Sequence, residues 1–256
     1  MNEAARIEAA ARRLLDARGA HQRVSLADLA PASLAEAYAI QDRQLQEIGP
    51  VGGWKVGARG PDREPSCAPL PASGIHTSLA LLPDGAWRVR GIEAELAVRL
   101  ERDLPPRASP YALDEVLSSI GALVPALEVV ETRLAEFPAA DPLAGLADLN
   151  AHGALVVGDP VAAGPGALDA SKLEVRLWFD DQQVASTCGG NPAVDLGRLL
   201  VWLANHCSQR GLGLQRGQVV TLGSCTGMLF APAATRVRAT LGGIGAVELA
   251  FTAAGH

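Results

Sequence analysis

Glu93 and Glu95 lie two residues apart in the stretch Ile92-Glu93-Ala94-Glu95-Leu96-Ala97-Val98. Read as a strand, the stretch alternates. Ile92, Ala94, Leu96 and Val98 face one side, and the two glutamates face the other. Carboxylates that close repel, so one is protonated unless a cation bridges them. Hard divalent cations such as Mg²⁺ or Mn²⁺ take this kind of oxygen ligand. An ordinary amphipathic strand with a wet polar face is the competing reading, and Arg99 further along fits it. Glu128 is a third carboxylate that needs an explanation, because it interrupts the apolar run Leu123 to Val130. Burying an unpaired carboxylate there is costly. A raised pKa, an arginine partner such as Arg133, or a role as a third metal ligand would each account for it.

Lys55 is a further residue whose type and setting could do chemistry. In Gly52-Gly53-Trp54-Lys55-Val56-Gly57 it points away from its apolar neighbours, and the glycines imply a strand with close backbone approach. Such a lysine either snorkels to solvent or, desolvated in a cleft, binds an anionic substrate and transfers protons. In Gly223-Ser224-Cys225-Thr226-Gly227, glycines flank two hydroxyls, which suits donors aimed at a carboxylate or simply a tight turn. His76 falls in Gly60 to Asp84, a stretch rich in Pro, Gly and Ser that is expected to be a functional loop or lid. Ala147-Asp148-Leu149-Asn150-Ala151-His152-Gly153 crowds polar residues before an apolar strand, where they line a site or make a turn.

The elements that must carry these residues are readable in outline. Helices are expected over Asn2 to Arg18, stopped by Gly19, and from a capping box at Ser33 and Glu36 to Gly49. A third begins at Ser109-Pro110, carries Leu113, Val116, Leu117 and Ile120 on one face, and closes at Gly121. A fourth begins at Asn191-Pro192, buries Leu199, Leu200 and Leu203, and ends near Gly211. Two hairpins are expected: Leu173 to Phe179 with Gln183 to Thr187, and Val237 to Leu241 with Ala246 to Phe251 around Gly242-Gly243. Gln218 to Leu222 reads as a strand entering the late glycine turn.

Composition narrows the function classes. At 256 residues, 48% hydrophobic and 20% charged, the chain describes a globular protein with a large core. A net charge of −6 with no basic cluster argues against nucleic acid. No apolar run reaches the roughly 18 residues of a membrane span. Glu3, Glu8 and Asp16 within the first helix argue against a signal peptide. Cys67, Cys188, Cys207 and Cys225 have no metal-type spacing, and reduced thiols in a cytoplasmic protein are expected.

The chain resembles the 2-keto-4-pentenoate hydratase and 4-oxalocrotonate decarboxylase family of the fumarylacetoacetate hydrolase superfamily. The resemblance runs from Ala37-Tyr38-Ala39-Ile40-Gln41 through Lys55-Val56-Gly57, Ile92-Glu93-Ala94-Glu95, Pro125-Ala126-Leu127-Glu128-Val129-Val130, Ala147-Asp148, Asn191-Pro192 and Val201-Trp202-Leu203-Ala204 to the closing Gly-Ile-Gly turn. Their order and spacing together are specific. The implied fold is α+β, a mixed β-sandwich or β-roll with N-terminal and flanking helices. It divides into a helical segment over residues 1–50 and a β-rich catalytic domain over 51–256. The implied divalent metal, Mg²⁺ or Mn²⁺, is held by Glu93, Glu95 and Glu128. Lys55 is implicated in substrate binding and proton transfer, and Ser224 and Thr226 in substrate contact. Two departures stand out. The hydratases carry an acid/base Asp where Leu70-Pro71-Ala72-Ser73-Gly74 offers Ala72, and their Ala-Asp-Asn-Ala-Ser-Ser-Gly is Ala147 to Gly153 here. His76 and His152 are the candidate substitutes. The implied activity is a hydratase-like lyase acting on a small 2-oxo or 2-hydroxydienoic acid through a metal-bound enolate, in a homo-oligomer. Decarboxylation of an oxalocrotonate-like acid, C–C hydrolysis of an acylpyruvate, and a non-catalytic binding subunit are the alternatives.

Overall fold

The computed structural model describes residues 2–137, 141–164 and 168–253. Met1 and residues 254–256, which the expected segments 1–50 and 51–256 include, lie outside the described residues. The elements in chain order are α1 (Glu3–Ala20), α2 (Leu34–Ile48), β1 (Val51–Gly57), β2 (Ser66–Pro71), β3 (Ile75–Thr77), β4 (Ala80–Pro83), β5 (Gly91–Leu100), α3 (Leu113–Leu117), β6 (Ile120–Val130), α4 (Pro142–Ala147), β7 (His152–Val157), β8 (Val161–Ala162), β9 (Glu174–Phe179), β10 (Gln182–Cys188), α5 (Leu196–Gln209), β11 (Val219–Ser224), β12 (Leu229–Phe230), β13 (Arg236–Leu241) and β14 (Gly245–Thr252). Among the described residues, no helix is long and apolar enough to cross a membrane.

The strands form two mixed sheets. The larger has the order β2-β1-β11-β5-β6-β7-β3, with β12 on β5 and β8 on β6. The smaller has the order β10-β9-β13-β14-β4. The end strands of the large sheet, β2 and β3, are joined by the single 3-10 turn Ala72–Gly74. Three residues cannot span a flat sheet of that width, so the sheet rolls until its ends meet. Gly52 and Gly53 permit the closure. A Cβ on Gly53 would lie 2.3 Å from the Val219 carbonyl oxygen, and one on Gly52 would lie 2.7 Å from Ala72 Cα.

Rolling gives the large sheet an inner and an outer face. Leu70, Ala97, Val124, Ala126, Leu155, Val157 and Val219, with Ile75 against them, pack a small cluster of their own. Register puts Ala97 opposite Val124 and Thr221, and these belong to the inner face. The alternate residues of β5, Ile92, Ala94, Leu96 and Val98, join the main core with Leu127, Val129, Val175, Leu177, Val237 and Val247. That core is the sandwich between the two sheets.

Several expected boundaries move. The stretch Gly60 to Asp84 is not a lid: it supplies β2, β3 and β4. Its prolines suit an edge strand, where a missing N–H costs no ladder bond, and β2 is an edge. The third helix covers only Leu113–Leu117, while Ile120 and Gly121 open β6. The fourth begins at Asp195, whose side chain caps Arg198 N, because the Asn191 side chain is committed elsewhere: its Nδ2 donates to Leu222 O at 2.8 Å and Gly223 O at 3.0 Å. α1 runs past Gly19 and ends on His21 in the left-handed region. The Ser33 cap and the Gly49 stop of α2 are as expected. Buried amides tie α2 to the β-rich part: Gln41 Nε2 donates to Leu146 O at 2.6 Å and Gln44 Nε2 to Ala147 O at 2.8 Å.

One buried network holds the entry to β7. Asp148 is fully buried and accepts from Thr132 Oγ1 at 2.7 Å, Arg133 N at 2.9 Å and Arg133 Nε at 2.5 Å. Arg133 in turn donates to the carbonyls of Asp148 at 3.0 Å and His152 at 2.9 Å. Arg133 therefore serves Asp148, not Glu128 as one reading of the sequence has it. Removing one partner of such a pair leaves the other charge buried and uncompensated. Asp148→Asn is expected to destabilise the fold by about 3–5 kcal/mol, read as a lower urea midpoint at unchanged slope. A loss below about 1 kcal/mol, the scale of an exposed pair, would mean that the network does not hold this corner.

Candidate functional site

β5 and β6 pair in register, and Glu93 lies directly opposite Glu128. Directly opposed residues in an antiparallel pair share a face, so both carboxylates enter the roll. Glu95, two residues on, shares that face. One carboxylate oxygen from each of the three lies within 4.8 Å of the other two. Glu95 and Glu128 are 2% and 1% exposed, so bulk solvent screens their charges little.

Lys55 reaches the same place from β1. Its Nζ hydrogen-bonds Glu128 Oε1 and donates to Asn150 O at 3.0 Å. Two strands, β11 and β5, stand between β1 and β6 in the sheet. Lys55 meets Glu128 across the interior of the roll, a contact that a flat sheet would forbid. Asn150 is brought in by an unusual turn. Leu149, Asn150 and Ala151 all have positive φ, between 50° and 56°. Left-handed backbone costs an L-residue about 1–2 kcal/mol, and the Asp148 network on one side and β7 on the other hold it in place.

Burial and repulsion set the protonation of the site. Burial, then the Glu128 and Glu93 carboxylates, hold Glu95 well above the ordinary carboxylate range. Burial and Glu128 push Glu93 up to about 7. Glu128 is different: burial pushes it up, but the Lys55 ammonium and His152 together outweigh that and it ends below its ordinary value. Burial acts against the Lys55 charge too, and Glu128, Glu93 and Glu95 more than reverse it, leaving Lys55 above its ordinary value. Lys55 and Glu128 are thus charged, and two further acids compete for counter-charge.

These residues fit a divalent cation. Glu128 Oε2 is buried with no hydrogen-bond partner among the described residues. Its Oε1 is taken by Lys55, which leaves Oε2 as the oxygen available to a cation. All-carboxylate oxygen donors suit a hard cation.

The other predicted residues divide. His152 is buried at the start of β7, its Nδ1 3.7 Å from Glu128 Oε1, beyond hydrogen-bond length. Burial lowers its pKa to about 4, so its imidazole is neutral at pH 7. His76 is not on a loop and does not join the site. Ile75 and Glu128 both pair with Leu155, which puts His76, next along β3, on the opposite face. Ser224 and Thr226 close the late turn. Ser224 Oγ donates to Gly227 O at 3.1 Å, and Thr226 Oγ1 donates to the same oxygen at 3.0 Å and accepts from Ala94 N at 3.2 Å. Sequence reasoning missed Gly223, whose N–H donates to Glu95 Oε2 at 3.1 Å. The glycine turn does aim a donor at a carboxylate, but the carboxylate is the chain's own. Positive φ at Gly223, 90°, is the signal that goes with it.

A family model of the fumarylacetoacetate hydrolase C-terminal domain matches residues 58–252, which include all three carboxylates and His152. The chain is 27% identical over 271 residues to 2-keto-4-pentenoate hydratase from Paraburkholderia phymatum, covering 98% of this chain and 100% of that protein. Its fold is similar to that of 4-oxalocrotonate decarboxylase from Pseudomonas putida G7 complexed with calcium and acetate, at TM-score 0.85 and 18% identity, covering 98% of this chain and 99% of that one. The same enzyme complexed with magnesium and adipate gives TM-score 0.84 and 19% identity over the same coverage. The rolled sheet, its inner carboxylates and the family match fall on the same strands, and the chain belongs to the fumarylacetoacetate hydrolase C-terminal family of enzymes.

Proposed function

We propose that this chain is a divalent-metal-dependent lyase that takes a small 2-oxo or 2-hydroxydienoic acid through its dienolate, ketonises that dienolate by protonation at carbon to the α,β-unsaturated 2-oxo acid, and adds water to the far end of that conjugated system. The observation that carries the reading is the convergence of Glu93, Glu95 and Glu128 within 4.8 Å beside the charged Lys55. A cation held there supplies Lewis-acid stabilisation of the charge that develops on the substrate's 2-oxygen. Magnesium suits the all-oxygen ligand set, and the similar decarboxylase from Pseudomonas putida G7 is complexed with magnesium and adipate. The chain's own residues do the rest. Lys55, protonated and tethered by Glu128 and Asn150 O, holds a proton at Nζ for delivery to substrate carbon or anchors the substrate carboxylate. His152, neutral and a weak base at a pKa of about 4, stands with its Nδ1 3.7 Å from Glu128 Oε1. Ser224 and Thr226, whose hydroxyls both donate to Gly227 O, brace the turn after Gly223 and are the candidate substrate contacts. Four free cysteines suit a reducing compartment such as the cytoplasm. A second reading, a non-catalytic binding subunit, is favoured by Ala72, which offers no ionisable group where the hydratases place an acid/base residue.

Three outcomes test this. Mg²⁺ is expected to raise the melting temperature, and Glu93→Gln or Glu128→Gln to remove that response; a response unchanged in both variants sinks the metal site. The response has a pH sign. A Glu93 pKa raised from 4.5 to about 7 makes the metal-free fold bind more protons than the unfolded chain between those values. Metal-free stability therefore falls as pH rises through that window, while Mg²⁺ stabilisation grows.

Second, Lys55→Met is expected to weaken oxalate binding in the presence of Mg²⁺ by about tenfold or more, the scale of a lost charge-assisted hydrogen bond. Unchanged oxalate affinity would show that Lys55 does not meet the substrate.

Third, 2-oxopentanoate should exchange its C3 protons in D₂O when Mg²⁺ is present, followed by NMR. Glu95→Gln and chelator should abolish the exchange. No exchange above free Mg²⁺ across several 2-oxo acids would favour a non-catalytic binding subunit.

A further inference from the structure

Arg18 lies in the last turn of α1, next to the buried Ala17. Its Nη1 approaches the His152 carbonyl at 3.4 Å, and Arg133 Nη1 donates to that same oxygen at 2.9 Å. Two guanidiniums thus converge on one carbonyl. The hydrogen bonds of the Asp148 carboxylate go to Arg133 and Thr132, so Arg18 gains no direct partner from it. Arg18 Nε and Nη2 are buried without a hydrogen-bond partner among the described residues, and so is Trp87 Nε1.

These unmatched donors share one space. Arg18 and Trp87 line two adjoining clefts, of about 420 and 200 Å³, beneath α1 and beside the start of β7. Gly153 makes room for the indole: a Cβ there would lie 2.7 Å from Trp87 Cζ3. Among the described residues, no carboxylate lines the larger cleft. The smaller has Glu131, whose oxygens already accept from Arg23 Nη2 at 3.0 Å and from the N–H groups of Arg88 and Val89 at 2.7 and 2.8 Å. Burial and the neighbouring Arg133 lower Arg18 to about 9, and the Asp148 charge, already bonded to Arg133, offsets only part of that. Water can satisfy its hydrogen bonds but cannot supply the missing charge. A carboxylate does both, and its two oxygens match the guanidinium fork.

We propose that this cleft is a carboxylate-binding site, with Arg18 as its charged anchor and Trp87 Nε1 as its second donor. It is distinct from the Glu93, Glu95 and Glu128 cluster, and His152 stands between them. The imidazole presents Nδ1 to Glu128 at 3.7 Å, while its Nε2 lies 3.2 Å from where a Cβ on Gly74, a residue of the larger cleft, would be. The carboxylate belongs either to a free small acid or to the far end of a substrate whose near end meets the three glutamates. The second source rests on the proposed function; the site itself does not.

The experiment uses the full chain without divalent cation and titrates acetate at constant ionic strength by calorimetry. Arg18→Gln is expected to weaken acetate by about tenfold or more, the scale of lost charged hydrogen bonds. Trp87→Phe, which keeps a ring and loses the N–H, should weaken it by a smaller factor and serves if Arg18→Gln does not fold. Acetate affinity equal in wild type and both variants, or no acetate binding at all, overturns the site. A second arm with Mg²⁺ separates the sources by comparing 2-oxoadipate with 2-oxopentanoate. If Arg18→Gln weakens only the dicarboxylic acid, the cleft takes the far end of a substrate. If it weakens acetate and neither oxo acid, the cleft takes a free acid. Loss of Mg²⁺ dependence for both oxo acids would count against the proposed reaction alone, since the acetate arm reads this cleft by itself.

Discussion

Three carboxylates and one ammonium are enclosed by a rolled sheet, and the Lys55–Glu128 pair is the contact on which that enclosure turns. Burying any one of these charges alone would cost several kcal/mol. Paired across the roll, Lys55 and Glu128 stay ionised, and Glu93 and Glu95 then feel both burial and a fixed negative neighbour. The imbalance is a property of the fold. Register on β5 and β6 fixes which carboxylates face each other, and the three-residue turn between β2 and β3 closes the space they face into. An arrangement on paired strands is stiffer than one on loops, which is what a site that must present fixed charges requires.

The surroundings keep that geometry without contributing to it directly. The outer face of the same sheet is fully apolar where it meets the smaller sheet, and that sandwich supplies the hydrophobic stabilisation that offsets the buried charges. The turn before β7 is the strained part. Three successive residues in left-handed backbone deliver Asn150 O to Lys55, and Asp148 and Arg133 clamp the turn from behind. Strain of this kind persists only where neighbours over-determine it. Here the same carbonyls that the clamp satisfies belong to the turn and to His152.

His152 lies at the boundary of two opposite electrostatic environments. Acids gather on its Glu128 side, and Arg18 and Arg133 gather around its own carbonyl. A buried neutral imidazole is the side chain that can sit between them without adding a further charge. The N-terminal helix takes part in this environment, because Arg18 comes from α1 while every other group comes from the β-rich part.

The sequence by itself determined the chemistry-bearing strands. Alternation in Ile92 to Val98 declared one apolar and one acidic face, the lone Glu128 in an apolar run marked a third acid, and paired glycines before Lys55 announced a close approach. Each is a local pattern with a period or a steric meaning, so each survives without knowledge of partners. The tertiary structure alone decided who meets whom. Nothing local to Lys55 could say that it crosses β11 and β5 to Glu128, or that Arg133 turns to Asp148. His76 shows the limit most plainly: its residue type suggested chemistry, and a strand register set by Leu155 turned it to the other face. The short helix at Leu113–Leu117 and the strands within Gly60 to Asp84 depart from their local patterns for the same reason. Proline, glycine and serine mark breaks in a chain, but an edge strand of a rolled sheet accepts them, and only the pairing tells an edge from a loop.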